Sequence, residues 1–262
     1  MIKKIYNKNK QKLFLDKNEV HIWNFDLNKF LQIKNQLKNI LSDEEIVRAG
    51  KFHFESDKYW FICSRSLLRI FTSIYSEIPA KEINFKFNEF GKPSLSPIHN
   101  NAELNFNLSH SKNFMSVGFV KNSMIGLDIE LVKPLKDHLG IAKKFFSPSE
   151  FEQLISFPTE KLLGGFYTCW TAKESIIKLS GEGLSYPLKE FDVELKDLDI
   201  GESYRYNVNL KKLQGKLFLE VFRLQEDLFG ACAVNKDNLE TIHCYLDDKF
   251  SLNDLLSDLK EN

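Results

Sequence analysis

Two acidic residues two positions apart in an apolar stretch are the strongest sign of chemistry in this sequence. Residues 124–134 read MIGLDIELVKP, so Asp128 and Glu130 alternate with aliphatic residues. In a strand, side chains alternate between two faces, and both carboxylates then lie on the same face. Adjacent carboxylates attract a cation, and their hard oxygens suit Mg²⁺, although acids are also common on exposed strand faces. The small Gly126 on that face predicts room for a ligand to approach.

A second polar group lies on a predicted helix later in the chain. Residues 170–178 read WTAKESIIK, which places Trp170, Glu174 and Lys178 on one helical face. The alternative is an ordinary surface ion pair, worth about 0.2–0.5 kcal/mol. The apolar neighbours favour a position beside the core. Glu174 is then a candidate third metal ligand and Lys178 a candidate partner of an anionic ligand.

Two shorter motifs are candidates for binding an anion. His110 lies between two serines in FNLSHS (106–111), and Lys92 lies in the turn NEFGKP (88–93). Both side chains can donate hydrogen bonds to a phosphate. Taken alone, a structural histidine and a solvated lysine remain the alternatives. The sequence shows no serine or cysteine nucleophile triad, no P-loop and no zinc-type Cys/His spacing.

Helices and strands must bring these residues together, and the sequence predicts both. Capping boxes at Ser42 and Ser147 begin two helices, and Gly181 ends another. The other helices are predicted at 57–75, 161–179 and 251–260, and the strands at 19–27, 83–87, 104–108, 115–120, 125–131, 191–195, 204–210, 216–222 and 229–234. The halves share the order capped helix, amphipathic helix, strands. We therefore predict an α+β fold of two similar subdomains, 1–123 and 124–262, each a small, mostly antiparallel sheet packed with helices.

Composition limits the class of protein and its partners. Lys plus Arg (36) equals Asp plus Glu (36), which argues against a nucleic-acid or membrane-surface binder. The four cysteines, Cys63, Cys169, Cys232 and Cys244, form no CxxC pair and are expected to be buried in a reducing compartment. No signal peptide and no apolar run of about 18 residues is seen, so we predict a cytoplasmic protein.

Together these motifs resemble the 4′-phosphopantetheinyl transferases, specifically the larger surfactin-synthetase-activating (Sfp) type. FGKPSL, FNLSHS, IGLDIE, FFSPSE and WTAKESIIKLSGEGLS occur in the family's order, over about residues 40–195. The resemblance implies two subdomains related by a pseudo-twofold axis. It also implies transfer of 4′-phosphopantetheine from coenzyme A to a serine hydroxyl of an apo acyl or peptidyl carrier protein, which leaves 3′,5′-ADP.

The resemblance also implies the chemistry at the pyrophosphate of coenzyme A. Asp128, Glu130 and Glu174 match the residues that hold Mg²⁺, and Lys178 matches the family lysine near the pyrophosphate. The incoming serine must lose its proton to Glu174 or a metal-bound water, with Lys173 as a weaker candidate base. A carboxylate bound to Mg²⁺ has a lowered pKa and is a poor base, so this choice stays open.

The resemblance implies that the nucleotide end of coenzyme A, with its 3′-phosphate, contacts a separate group of basic and polar residues. The motif residues that match this set are Lys92, Ser109 and His110. Arg48 and Lys51 are predicted to fill part of the role of the family's basic residues before the first amphipathic helix. Trp60 lies where the family's type member has an arginine, and Arg65, about one turn later, is the predicted replacement.

Partners and rival functions follow from the same comparison. The family resemblance predicts a monomer that docks a carrier protein beside the cleft, and residues 111–124, with Phe114 and Met115, are the predicted part of that surface. One rival is another Mg²⁺-dependent nucleotide or pyrophosphate hydrolase, which would need no carrier. The other is a non-catalytic relative that binds coenzyme A.

Overall fold

In a computed structural model of the chain, the described residues are 1–6, 13–99, 103–183, 186–210, 216–237 and 239–246. The strands are β1 (Ile2–Tyr6), β2 (Glu19–Asp26), β3 (Phe85–Phe87), β4 (Pro93–Leu95), β5 (Leu104–Ser111), β6 (Phe114–Lys121), β7 (Ile125–Leu131), β8 (Ser203–Asn209), β9 (Lys216–Gln225), β10 (Leu228–Val234) and β11 (Glu240–Leu246). The α-helices are α1 (Lys34–Lys38), α2 (Asp43–Ala49), α3 (Glu55–Ser76), α4 (His138–Phe145), α5 (Pro148–Ile155) and α6 (Leu162–Ser180).

Two sheets and two long helices carry the architecture. The first sheet has the order β1-β11-β2-β6-β5, the second has the order β7-β10-β9-β8, and β3 and β4 form a separate hairpin. All pairs are antiparallel except those that β11 makes with β1 and β2. One apolar core includes residues of α3 and the first sheet, and another includes residues of α6 and the second sheet. A third core joins strands of the two sheets. The predicted α+β class with small, mostly antiparallel sheets is confirmed.

Local signals in the sequence account for the helix ends. The side chains of Ser42 and Glu45 form the predicted capping box of α2, and those of Ser147 and Glu150 form that of α5. Helix α6 ends at Gly181, whose φ of 75° lies in the left-handed region that glycine adopts freely. None of the helices in the described part of the chain is long and apolar enough to cross a membrane.

The predicted strand at 191–195 is wrong, because side chains satisfy its backbone. The N–H of Val193 donates to Glu150 Oε1 at 2.7 Å, and the N–H of Leu195 donates to Gln153 Oε1 at 3.2 Å. The segment is extended, but it has no partner strand among the described residues. The predicted helix at 251–260 lies outside those residues.

The chain ends of the described structure meet in the first sheet. β1, α4 and β11 were not predicted, and β11 inserts between β1 and β2 although it comes from the second half of the sequence. The division near residue 123 stays a prediction. It assigns β11 to the second subdomain, whereas that strand lies in the first sheet. β5 also runs through Ser111, so the SHS motif lies within a strand.

Candidate active site between the two sheets

A cavity of about 570 Å³ gathers most of the predicted site residues. Its lining comes from β5, β7, α3, α6 and the turn between β3 and β4. The predicted residues among those that line it are Arg65, Lys92, Ser109, His110, Asp128, Glu130, Glu174 and Lys178. Residues far apart in the sequence therefore share one cleft.

Strand β7 presents its carboxylates beside α6, and Gly126 makes this close packing possible. A Cβ at Gly126 would lie 1.9 Å from the carbonyl oxygen of Ser175 and 2.3 Å from the backbone nitrogen of Leu179. The prediction that Gly126 leaves room for a ligand is therefore wrong, because the backbone of α6 fills that space. The glycine instead brings β7 and α6 into direct contact.

Asp128 lies at the centre of a buried polar network. Its Oδ1 accepts hydrogen bonds from Lys178 Nζ at 2.7 Å and from Ser109 Oγ at 2.9 Å. Lys178 Nζ also donates to Ser109 Oγ at 2.9 Å. The other oxygen, Asp128 Oδ2, is buried and has no hydrogen-bond partner among the described residues. A buried carboxylate oxygen without a partner is costly unless a ligand satisfies it.

Three alternate side chains of β5 connect that strand to β7, and two of them were missed in the sequence. Asn107 Oδ1 accepts from the N–H of Leu127 at 2.8 Å. Ser111 Oγ donates to Glu130 Oε2 at 2.8 Å and accepts from the N–H of Leu131 at 3.1 Å. Asn107, Ser109 and Ser111 thus form a polar row at every second position of β5. The period-two alternation in FNLSHS was the available signal.

Glu174 lines the cavity from α6, and its surroundings raise its pKa strongly. Burial, followed by the negative charge of Asp128, raises the pKa of Glu174 to about 7. The charge of Glu130 adds to this shift, and Lys178 opposes it. Burial also raises the pKa of Glu130, and the hydrogen bond from Ser111 offsets part of that rise. Both shifts express the cost of gathering carboxylates in a partly dry cleft.

The donor set of the cleft fits a hard divalent cation. In the described ranges, no group of three or more His, Cys, Asp or Glu side chains is already drawn together around one point. Asp128, Glu130 and Glu174 nevertheless line the same cavity, and one buried oxygen of Asp128 has no hydrogen-bond partner among the described residues. Carboxylate oxygens are the ligands that Mg²⁺ favours, and a cation there would offset the repulsion that raises the pKa of Glu174.

Positive and neutral donors line the other side of the cleft. The Arg65 guanidinium lies 5.7 Å from the ring centre of Phe61 and 5.3 Å from that of Phe87. Its Nη1 is buried and has no hydrogen-bond partner in the described structure. Partial desolvation, followed by the charges of Lys178 and Arg65, lowers the pKa of His110, so its ring is neutral at pH 7. Such donors suit an anionic ligand.

Two of the predicted basic residues lie outside the cavity lining. Arg48 and Lys51 are both exposed and do not line the cleft. Arg48 lies 5.4 Å from the ring centre of Phe61, the same ring that Arg65 approaches, so it stands at the edge of the cleft. Lys51 has no contact with the cavity.

Lys173 is placed where it cannot act as the base. It is 1% exposed, and its Nζ lies 2.7 Å from Glu150 Oε1. The same amine donates to the carbonyl oxygens of Leu188 and Phe191, at 2.7 Å and 3.0 Å. An ammonium with three acceptors in a core has no route to a substrate, so the predicted role of Lys173 as a base is wrong.

Lys92 and Met115 also differ from expectation. The Lys92 side chain reaches the cleft, but its Nζ donates to three backbone carbonyl groups, those of residues 125, 178 and 179. Its predicted contact with a phosphate therefore has no free donor. Met115 is 1% exposed and belongs to the core under the first sheet, so it cannot form a docking surface.

The sequence matches known proteins along most of its length. Residues 124–231 match the family model described as the 4′-phosphopantetheinyl transferase superfamily. Residues 22–119 match the family model for the N-terminal part of 4′-phosphopantetheinyl transferase.

Individual relatives support the same family. The chain is 34% identical over 186 residues to the 4′-phosphopantetheinyl transferase HetI of Nostoc sp., which covers 70% of this chain and 77% of the relative. It is 33% identical over 205 residues to the 4′-phosphopantetheinyl transferase Sfp of Bacillus subtilis, with 78% and 87% covered. A mouse relative, L-aminoadipate-semialdehyde dehydrogenase-phosphopantetheinyl transferase, is 30% identical over 211 residues, with 75% and 67% covered. The chain therefore belongs to the 4′-phosphopantetheinyl transferase superfamily.

Proposed function

We propose that the chain transfers 4′-phosphopantetheine from coenzyme A to a serine hydroxyl of an apo acyl or peptidyl carrier protein, and releases 3′,5′-ADP. The observation that carries this proposal is the cleft itself. Three carboxylates, one with an unpartnered buried oxygen, line it together with the cationic side chains of Arg65 and Lys178. Family membership supports coenzyme A and a carrier protein as the two substrates.

We assign the cation site to Asp128, Glu130 and Glu174, with Mg²⁺ as the metal. Bound there, Mg²⁺ would neutralise charge that develops on the pyrophosphate oxygens during transfer. Lys178 anchors Asp128 with one hydrogen bond and Ser109 with another, which leaves the third N–H of its ammonium for a phosphate oxygen.

The remaining residues bind the nucleotide and accept the serine proton. Arg65 is held between two aromatic rings with Nη1 free, which suits the 3′-phosphate. His110, neutral at pH 7, donates one hydrogen bond to the nucleotide end. Glu174 or a metal-bound water is our candidate proton acceptor. Burial and the charge of Asp128 raise the pKa of Glu174 to about 7 in the cleft without a cation, and bound Mg²⁺ would lower it.

The decisive experiment incubates the protein with coenzyme A, Mg²⁺ and an apo carrier protein, and then weighs the carrier. A gain of one phosphopantetheine group per carrier supports the transferase. Consumption of coenzyme A without carrier modification would support a pyrophosphate hydrolase, and binding without turnover would support a non-catalytic relative. Glu174→Gln should lower the transfer rate by at least about a hundredfold, and full activity in this variant would remove Glu174 from the mechanism.

The location and assembly of the protein complete the proposal. The cysteines Cys63, Cys169, Cys232 and Cys244 are buried free thiols, which suits a reducing compartment. We propose a cytoplasmic monomer that acts on neither nucleic acid nor membranes. Light scattering of the purified protein tests the monomer.

A further inference from the structure

The turn between β3 and β4 reaches across the cleft and contacts the end of α6. Asn88 Oδ1 accepts from the N–H groups of Phe90 and Lys92, at 3.0 Å and 2.8 Å, which shapes the turn. Asn88 Nδ2 donates to the carbonyl oxygen of Gly181 at 3.1 Å, just beyond the helix. The turn is therefore both preformed and attached to α6.

The amine of Lys92 completes this attachment. It donates to the carbonyl oxygens of Ile125 at 3.0 Å, Lys178 at 2.5 Å and Leu179 at 3.3 Å. An ammonium has three N–H donors, and all three are used. In the described part of the chain, Lys92 forms no ion pair with a carboxylate, so its charge faces only these carbonyl groups.

The acceptors belong to the two elements that carry the site. Two are among the last four carbonyls of α6, which have no partner within the helix. They also lie at the negative end of the helix dipole, where a cation is favourable. The third, Ile125, begins β7, three positions before Asp128. One charge thus joins the start of β7 to the end of α6.

We infer that Lys92 is a positioning residue, which sets the distance between β7 and α6 and hence between Asp128 and Lys178. The carbonyl of Lys178 is an acceptor of the Lys92 amine, while the Lys178 amine holds Asp128 Oδ1 at 2.7 Å. Glu174 lies one helical turn earlier on the same helix. A turn from the first half of the sequence therefore controls the alignment of Asp128, Glu174 and Lys178, which belong to the second half.

This assignment replaces the predicted role of Lys92 as a phosphate ligand. A lysine that binds phosphate needs a free N–H, and this amine has none. The packing at Gly126 acts in the same direction, because it presses α6 onto β7 one residue after Ile125. The hydrogen bonds of Lys92 and the packing at Gly126 therefore stabilise the same contact between β7 and α6.

The test compares Lys92→Met with Lys86→Met, whose lysine is exposed on β3 of the same hairpin. Without substrates, Lys92→Met should speed backbone hydrogen exchange in residues 178–181 by about tenfold or more. With substrates, kcat should fall by about 10- to 100-fold, as expected for a small misplacement of reacting groups. The Kd for coenzyme A should change by less than about threefold. Lys86→Met should match the wild type in all three measurements.

The opposite pattern would overturn the inference. In that pattern, Lys92→Met leaves backbone hydrogen exchange unchanged and raises the Kd for coenzyme A by about tenfold or more. The Kd for 3′-dephospho-coenzyme A would not rise in this way. Wild-type behaviour of Lys92→Met would overturn it equally. The kinetic readout rests on the proposed function, whereas hydrogen exchange does not. If the wild type transfers nothing, the proposed function fails and exchange still decides the role of Lys92.

Chemical rescue shows whether the missing ammonium causes the effects of replacing Lys92. Lys92→Cys treated with bromoethylamine regains an ammonium on a side chain of the same length, and the native cysteines are buried and protected. Recovery of both exchange protection and kcat after this treatment supports the positioning role of Lys92. Modification without recovery of either refutes it.

Discussion

Gly126→Ala is the sharpest test of how β7 and α6 build the site. The new Cβ would lie 1.9 Å from the Ser175 carbonyl oxygen and 2.8 Å from the Leu179 Cα, whereas real contacts essentially never fall below 3.0 Å. Both obstacles are backbone, so no side chain can rotate away. The helix must retreat from the strand by about 1 Å or more, because the oxygen alone needs that much.

This displacement has consequences for stability and for catalysis. Overpacking of this kind costs about 1–3 kcal/mol, and about 2–10 °C in Tm for a chain of this size. Because α6 carries Glu174 and Lys178 opposite Asp128, a shift of about 1 Å should lower kcat roughly a hundredfold.

The assay is carrier modification under saturating coenzyme A, together with thermal unfolding of the same samples. Gly164→Ala, near the start of the same helix, is the matched control. Its Cβ would meet only Phe229 Cζ at 3.4 Å, an ordinary contact, and should leave kcat unchanged. A Gly126→Ala protein with wild-type Tm and kcat would show that β7 and α6 are not in the contact described.

Three further changes probe the rest of the molecule. Lys173→Met should destabilise the fold by about 3–5 kcal/mol, because it leaves Glu150 buried without its cation. The kcat of the folded variant should stay near wild type. A loss of kcat at low temperature, where the variant is folded, would show that Lys173 has a catalytic role. Arg65→Met should raise the KM for coenzyme A about tenfold or more, through loss of a charged hydrogen bond, with a much smaller effect for 3′-dephospho-coenzyme A; equal effects on both substrates would disprove the 3′-phosphate contact. For Glu220, burial alone would raise the pKa, but the nearby His243, whose Nε2 lies 3.6 Å from Glu220 Oε1, and Arg205 outweigh burial and hold the pKa at about 2. Because this pKa is depressed, the stability it contributes, roughly 3 kcal/mol at most, is present above pH 4.5 and is lost as pH falls toward 2. Glu220→Gln should therefore be less stable than wild type at pH 7 and nearly equal at pH 2, measured by urea unfolding, and a gap that does not depend on pH would contradict this.

Some features of this protein were determined by neighbouring residues and were readable from the sequence. Alternation along 125–131 set the strand and put Asp128 and Glu130 on one face. The Ser147–Glu150 pair began α5, and Gly181 ended α6, because caps act over three or four residues. Motif order predicted the family, which the comparisons confirm.

Tertiary structure decided what each long or small side chain does. The sequence marks Lys92 and Lys173 as basic, yet their partners are carbonyl groups and a carboxylate that only the packing of distant elements supplies. Lys92 and its closest acceptor are 86 positions apart in the chain. Gly126 likewise reads as open space until α6 packs onto it. Periodicity is a property of adjacent residues, whereas a hydrogen-bond partner or a close approach depends on which elements pack together. The residues that neighbour Lys92 in the sequence therefore do not predict its contact with α6.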